Sequence, residues 1–250
     1  MYIHTYGNPG DPVVLLLHPM LVTGEQMFDS IGSRLDGNYF IIAPDQSSHG
    51  SDSSEYVSPE KDGDDLYRYL KDNNYTDIVL MSTLSLGGVL AMQLLKRKDL
   101  TFHSVHIDGV PLAPMKGLLK YLAPILYETY RKKANKDEST VAKTLTGMYG
   151  EKLGKTMAEQ FGQMSSESVK KIVGACNSGC AVPIDEDLQS RITFEWGEKE
   201  SNAKYGKVLA EEMYPKSKIV IRSGYDHCTY MASNTDEYVS EICREIAERQ

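Results

Sequence analysis

The chain has 250 residues, 41% hydrophobic and 25% charged, and its 27 basic and 35 acidic side chains leave a formal net charge of −8. These proportions belong to an ordinary folded chain and exclude a disordered or collagen-like one, and no apolar run approaches the ~20 residues of a membrane helix. The acidic balance, without a concentrated basic footprint, excludes nucleic acid as a natural partner.

In chain order, the first strong element is Val13-Val14-Leu15-Leu16-Leu17. It is continuous rather than alternating, the pattern of a strand buried on both faces of a parallel sheet. Thr23-Gly24-Glu25-Gln26 fits a capping box that opens a helix. Tyr39-Phe40-Ile41-Ile42-Ala43 reads as a second buried strand, stopped by Pro44. Ser58-Pro59 reads as an N-cap with proline at the first helical position, and Leu66, Tyr67 and Leu70 mark the apolar side of that helix. Ile78-Val79-Leu80-Met81 is a third strand, followed directly by a helical pattern from Leu86 to Lys98. Phe102 to Ile107, Arg191 to Gly197 and Lys218 to Ile221 read as three more strands. A helix near Asn202–Met213 separates the last two, and another near Asn234–Arg249 closes the chain. Strands alternating with helices predict a mostly parallel sheet with helices on both faces.

The stretch from about Pro111 to Pro183 has no strand pattern and is too long for a loop. Met115–Lys133, Val141–Gly150, Glu151–Gln163 and Ser166–Ser178 read as helices. They read as one helical insertion over 113–183 that interrupts a core of 1–112 and 184–250. The insertion falls on the C-terminal side of the sheet, where such folds bind ligands. Lys96-Arg97-Lys98 and Arg131-Lys132-Lys133 read as last helical turns, where cations offset the helix dipole. Four cysteines do not make a disulfide framework. Cys176 and Cys180 read as buried thiols sharing a helix face, without the further ligands of a zinc site. The N-terminal Met1-Tyr2-Ile3-His4-Thr5-Tyr6 has no secretory pattern, so the expected location is cytoplasmic. His103 and His106, three apart in a strand, face different ways and do not form a metal pair.

Chemistry concentrates where the third strand runs into Ser82-Thr83-Leu84-Ser85-Leu86-Gly87-Gly88. A strand turning sharply into a helix at a serine lifts the hydroxyl above the sheet and aims the first helical N–H groups at the same place. Gly87 and Gly88 let the helix pack close. Ser85-Leu86-Gly87-Gly88 resembles the nucleophile elbow of the α/β-hydrolase superfamily, and other segments fall in the family's order. Leu15-Leu16-Leu17-His18-Pro19-Met20 resembles its strand-His-Gly loop. Ala43-Pro44-Asp45-Gln46-Ser47-Ser48-His49-Gly50 resembles its Pro-Asp…Gly-His-Gly segment. Trp196-Gly197-Glu198-Lys199-Glu200 resembles the segment that carries the acid, and Gly224-Tyr225-Asp226-His227 the one that carries the histidine.

The resemblance implies an α/β-hydrolase fold and a catalytic triad of Ser85, Glu200 and His227, with the backbone N–H groups of Met20 and Leu86 as an oxyanion hole. In these roles His227 takes the serine proton and Glu200 orients the resulting imidazolium. Asp108, at a strand end, is the other candidate acid, though a helix-cap or loop role suits it better. His18 is expected to shape the oxyanion loop by hydrogen bonding, and His4 and His49 to sit at edges or in loops. The chain departs from the family pattern at Thr83 and Pro19, where glycine is usual, and at Glu200, where aspartate is usual. A β-branched Thr83 is expected to crowd the strained turn.

The expected activity is that of a serine hydrolase (a carboxylesterase) cleaving a small carboxylic ester or thioester through an acyl-enzyme, with no cofactor and no metal. A peptidase or carbon–carbon bond hydrolase fits the same residues, and a non-catalytic small-ligand-binding relative fits Thr83 and Pro19. Aspartate-nucleophile branches do not fit Ser85. The expected partner is a small-molecule ester-like substrate, with no stable membrane insertion; a homodimer is compatible with the sequence. The resemblance also implies that the insertion caps the site; its Leu118, Leu119, Leu122, Ile125 and Leu126, interleaved with Tyr121, Tyr127, Tyr130, Met148, Met157 and Met164, are mostly expected to seal the cap against the core, and some of the methionines and tyrosines to line an adaptable acyl pocket. The Met115–Lys133 segment has the pattern of a membrane-surface helix, but the net acidity of the chain argues against anionic lipid.

Overall fold

The computed structural model describes residues 1–201 and 203–249, and Leu119 by its backbone alone. The expectations for Asn202 as a helix start and for the Leu119 side chain therefore lie outside the described residues. Seven strands form one sheet: β1 (Tyr2–Tyr6), β2 (Val13–Leu17), β3 (Phe40–Asp45), β4 (Asp77–Leu84), β5 (Thr101–Asp108), β6 (Ile192–Gly197) and β7 (Lys218–Arg222). Their spatial order is β1-β3-β2-β4-β5-β6-β7. Only the β1–β3 pair is antiparallel. All five residues of β2 and all six of β6 are buried. Because successive side chains point to opposite faces, both faces of the sheet are covered by helices.

The helices of the core are α1 (Gly24–Ser30), α2 (Pro59–Asp72) and α3 (Leu86–Leu94), which precede the insertion. The insertion holds α4 (Leu119–Lys136), α5 (Ser139–Tyr149), α6 (Glu151–Gln163) and α7 (Ser166–Ser178). A short α8 (Glu186–Gln189) leads into β6, and α9 (Ala203–Met213), α10 (Thr229–Ser233) and α11 (Thr235–Arg249) follow. The caps form as the sequence predicts. The Thr23 side chain and Gln26 make a reciprocal capping box on α1, and Ser58 accepts from the Lys61 N–H with Pro59 in the first turn of α2. None of the helices among the described residues is long and apolar enough to cross a membrane.

One strand, β1, joins those read from the sequence, and three expectations are corrected. β1 carries no apolar run and half-exposed side chains, so it gives no hydrophobic signal; backbone pairing to β3 makes it a strand. It places His4 in an edge strand. Pro44 does not stop β3. The β2 ladder on the other side of β3 ends at Ile42, so the missing N–H of Pro44 costs no bond there. Cys176 and Cys180 do not share a helix face, because α7 ends at Ser178 and Gly179 turns the chain at φ +74°. All four cysteines are free thiols, and the Cys180 thiol donates to the Pro111 carbonyl at 3.5 Å. Lys96-Arg97-Lys98 lies beyond the end of α3, whereas Arg131-Lys132-Lys133 runs into the last turn of α4, which holds Lys133.

The insertion leaves β5 and returns to β6 through a narrow neck. The Leu112 carbonyl accepts from the Cys180 and Ala181 N–H groups at 3.2 and 3.4 Å, and the Met115 N–H donates to the Asn177 carbonyl at 2.9 Å. Gly179 is required there, since a Cβ would lie 2.7 Å from the Pro114 nitrogen. Pro124 stands inside α4 and cannot donate to the Lys120 carbonyl four residues back. The buried Asn177 side chain supplies that bond instead, donating to the Lys120 carbonyl at 3.2 Å. Beside the ends of β5 and β6, α11 is tied down by ions. The buried His106 ring lies 3.1 Å from Glu245 and 3.5 Å from Glu195, and Arg222 donates twice to Glu195 at 2.8 Å. Burial would lower the His106 pKa, but the two carboxylates outweigh it and raise it to about 9.

Asn177→Ala is expected to cost about 0.5–1.5 kcal/mol, the net worth of one hydrogen bond to a part-buried carbonyl. Urea unfolding measures it. In a Pro124→Ala background, where the helix supplies its own N–H, the cost should shrink; an equal cost in both backgrounds would refute the pairing.

Candidate active site

The order of strands reverses between β2 and β4, since β3 lies to one side of β2 and β4 to the other. A crevice opens outside the carboxyl ends of strands at such a switch point. The loop after β2 carries His18, Pro19 and Met20 into it, and the turn after β4 carries Ser85. Glu200 follows β6 and His227 follows β7, so all of these reach the same edge of the sheet.

Ser85 is the N-cap of α3 with φ +50° and ψ −110°, a region that L-residues rarely occupy. Packing holds it there. The Ser85 N–H donates to the Asp108 carbonyl at 2.7 Å. A Cβ on Gly87 would sit 2.2 Å from the Leu17 carbonyl oxygen, and one on Gly88 2.8 Å from Val110 Cβ. Glycine at both places lets α3 lie against the ends of β2 and β5. The strain falls on Ser85 and not on Thr83, contrary to the crowding expected of a β-branched residue. Thr83 still belongs to β4, paired with Leu17 and Ile107, and β-branched residues suit strands.

The structure brings Ser85, His227 and Glu200 together. With the proton on Nδ1, the His227 ring donates to Glu200 Oε2 at 2.9 Å, and its Nε2 accepts from the Ser85 hydroxyl at 2.8 Å. Glu200 is buried, and its other oxygen accepts the Gly197 N–H at 2.7 Å, which fixes the carboxylate. Burial alone would lower the His227 pKa. The hydrogen bond and charge of Glu200 outweigh it, with Asp108 and Asp226 adding to the effect, and the pKa is raised. The neighbouring Glu198 goes elsewhere, accepting from the Ser223 hydroxyl and the Gly224 N–H.

Asp108 takes neither the cap nor the loop role expected of it. It is the buried last residue of β5, and its backbone carbonyl anchors Ser85. Burial first, then the charges of Glu195 and Glu200, push its carboxyl well above the usual range. The carboxylate that touches His227 is Glu200.

Leu86 is the first residue of α3, so its N–H is among those a helix leaves without a partner of its own. Met20 lines the same cavity as Ser85 and His227. His18 is buried under this loop. Its Nδ1–H donates to the Pro19 carbonyl at 2.8 Å and its Nε2 accepts the Gln46 N–H at 2.9 Å. Burial lowers its pKa to about 4, so it stays neutral and serves as a brace. His49 is likewise buried, its pKa lowered by burial to about 3. Asp45 pins the surrounding loops by accepting from the Gly24 N–H at 2.7 Å and the Ser51 N–H at 2.8 Å. Gly50 is required beside it, because a Cβ would lie 2.3 Å from that carboxylate.

Two contacts escaped the sequence reading. The Tyr149 hydroxyl, at the end of α5, donates to the His227 carbonyl at 3.2 Å. The Asp226 carboxylate accepts the His227 N–H at 2.7 Å. Asp226 adjoins the quoted segment, but nothing local in the sequence links Tyr149 to residue 227.

Ser85 and His227 open into a cavity of about 320 Å³ under the insertion, lined by such residues as Met20, Tyr127, Met148, Met157 and Phe161. Among the described residues, no Asp, Glu, Lys or Arg lines it. Such a site suits an uncharged, apolar group held against a hydroxyl whose proton has an acceptor 2.8 Å away. Among the described residues no cluster of His, Cys, Asp and Glu is arranged to hold a metal ion.

No protein-family model matches the chain. A 3-hydroxybutyrate-oligomer hydrolase of Cupriavidus necator is 29% identical over 125 residues, 48% of this chain and 37% of that protein, so the match spans little more than a third of that relative. Among solved structures, an esterase from Exiguobacterium antarcticum superposes with a TM-score of 0.76 at 14% identity, over 98% of this chain and 95% of that one. An α/β hydrolase family protein from Desulfitobacterium hafniense gives a TM-score of 0.74 at 19% identity, over 98% and 99% of the two chains.

Histidine-resolved NMR titration tests the electrostatics. The His227 ring should titrate above the ordinary ~6.5 of histidine, and in Glu200→Gln its midpoint should fall. His18 should remain neutral down to a pH of about 4. A His227 midpoint unmoved by Glu200→Gln would break the assigned pairing.

Proposed function

We propose that this chain, which has the α/β-hydrolase fold, is a serine hydrolase that cleaves a small carboxylic ester or thioester through an acyl-enzyme. The observation that carries the reading is the continuous chain of hydrogen bonds from Ser85 through His227 to Glu200, opening into an apolar cavity. The esterase and hydrolase names of the similar proteins support the same class of reaction.

In this reading the Ser85 hydroxyl attacks the acyl carbon while its proton passes to His227 Nε2. Glu200 stabilises the imidazolium and keeps the ring in the required tautomer. The tetrahedral oxyanion is held by the N–H groups of Leu86 and Met20, helped by the positive end of α3. His227 then gives the proton to the departing alkoxide or thiolate, and the Ser85 acyl ester remains. Water attacks that ester with the same histidine as base, releasing the acid and restoring Ser85. The adaptable methionine and tyrosine side chains of the cavity receive the acyl chain. Because the site residues would serve ester, amide or diketone cleavage alike, a substrate panel across those three classes separates the ester reading from a peptidase or carbon–carbon hydrolase.

A fluorophosphonate probe should label Ser85 covalently, and Ser85→Ala should lose both labelling and turnover of p-nitrophenyl acetate, by about 10³-fold or more. Since only neutral His227 accepts the serine proton, kcat/KM should rise with pH through a midpoint above ~6.5. Full turnover by Ser85→Ala would overturn the proposal.

A further inference from the structure

Leu118, Leu122, Ile125 and Leu126 do not seal the insertion against the core as expected: among the described residues, the face of α4 that carries them has no partner in the fold. Leu118 is 70% exposed, Tyr121 69% and Ile125 65%, and Leu122 and Leu126 are also exposed. At 3.6 residues per turn, Leu118, Leu122 and Ile125 form one stripe, and the same stripe continues through Thr129 to Lys132, Lys133 and Lys136. The first half of the stripe is therefore apolar and the second half cationic. Leu126, Tyr127, Tyr130 and Met148 join this face to the cavity, being exposed outside and lining it inside.

Charge decides what could cover this surface. Residues 115–148 carry seven cations (Lys116, Lys120, Arg131, Lys132, Lys133, Lys136 and Lys143) against three carboxylates (Glu128, Asp137 and Glu138). The local balance is +4 in a chain of −8. Glu128 is engaged by Arg131 and Lys132. Among the described residues, Lys116, Lys120, Lys133, Lys136 and Lys143 make no ion pair. The net acidity of the chain is therefore borne elsewhere, and the objection it raises to an anionic surface does not hold at this face. A second copy docking by a two-fold axis would set this cationic face against itself.

We propose that the α4 face is a docking surface for an anionic lipid surface, with Leu118, Tyr121, Leu122 and Ile125 entering the interface and Lys133 and Lys136 meeting headgroups. The helix lies on the membrane and does not span it. Docking this way sets the mouth of the cavity against the lipid, so an amphiphilic ester reaches the site without crossing water. That delivery rests on the hydrolase reading; the docking does not.

The test uses the full chain and its Ser85→Ala variant in co-sedimentation with vesicles of phosphatidylcholine alone or with about 30% phosphatidylserine. Both proteins should bind the anionic vesicles in about 0.1 M salt, and at least about tenfold less in about 0.5 M salt or to neutral vesicles. Leu118→Asp with Ile125→Asp, and separately Lys133→Glu with Lys136→Glu, should each weaken binding about tenfold or more. Hydrolysis of soluble p-nitrophenyl acetate should be unchanged in both. The proposal is overturned by no binding at low salt, by equal binding to neutral vesicles, or by variants that bind like the parent. A parental dimer in size-exclusion chromatography that the Leu118/Ile125 pair dissolves would likewise overturn it and assign the face to a second copy. Because Ser85→Ala reports on docking alone, vesicle binding without Ser85 labelling would remove the hydrolase reading and leave the surface standing.

Discussion

The turn at Ser85 is the constraint on which the rest of the site depends. A serine held at φ +50° between a buried strand and a buried helix costs on the order of 1–3 kcal/mol. The turn persists because its surroundings leave no alternative. The Ser85 N–H is committed to the Asp108 carbonyl, and Gly87 and Gly88 bring α3 to within contact of the ends of β2 and β5. The same geometry lifts the hydroxyl above the sheet and turns the first N–H groups of α3 toward it. Relaxing the turn would move hydroxyl, helix dipole and backbone donors together.

Electrostatics then assigns roles among carboxylates that lie close together. Asp108, Glu195 and Glu200 all stand near the carboxyl ends of β5 and β6. Glu195 is neutralised by Arg222 and His106, and Asp108 is pushed toward its protonated form by burial and by its acidic neighbours. Glu200 is left as the anion bonded to His227, fixed by the Gly197 N–H. Around the loop after β2 the logic is reversed. His18 is buried and kept neutral, so it braces the loop with two hydrogen bonds and takes no proton.

The insertion is more than a cover. Its neck is closed by backbone bonds between Leu112 and Cys180–Ala181, and Asn177 repairs the gap that Pro124 leaves in α4. From α5, Tyr149 reaches the backbone of His227, so the helical region touches the segment that carries this histidine. Its inner surface lines an apolar cavity, and its outer surface on α4 is apolar and basic. One element thus forms both the wall of the cavity and the exposed apolar and basic face.

Much of the architecture was legible in the chain. Continuous apolar runs such as Val13–Leu17 mark strands buried on both faces, and Thr23 and Ser58 announce helix starts because capping is a local interaction. Segment order, together with the resemblance it carries, sufficed to nominate Ser85, Glu200 and His227. Tertiary structure decided the matters that depend on distant partners. β1 is a strand only because β3 pairs with it, and Pro44 is tolerated only because the neighbouring ladder has ended. Glu200 rather than Asp108 meets the histidine because the turns after β6 and β7 bring residues 200 and 227 together while Asp108 stays in β5, and Tyr149 meets residue 227 across a separation no local pattern encodes. The net charge of −8 was known from composition, but its unequal distribution mattered only once α4 was seen to lie exposed, because charge acts through space and not along the chain.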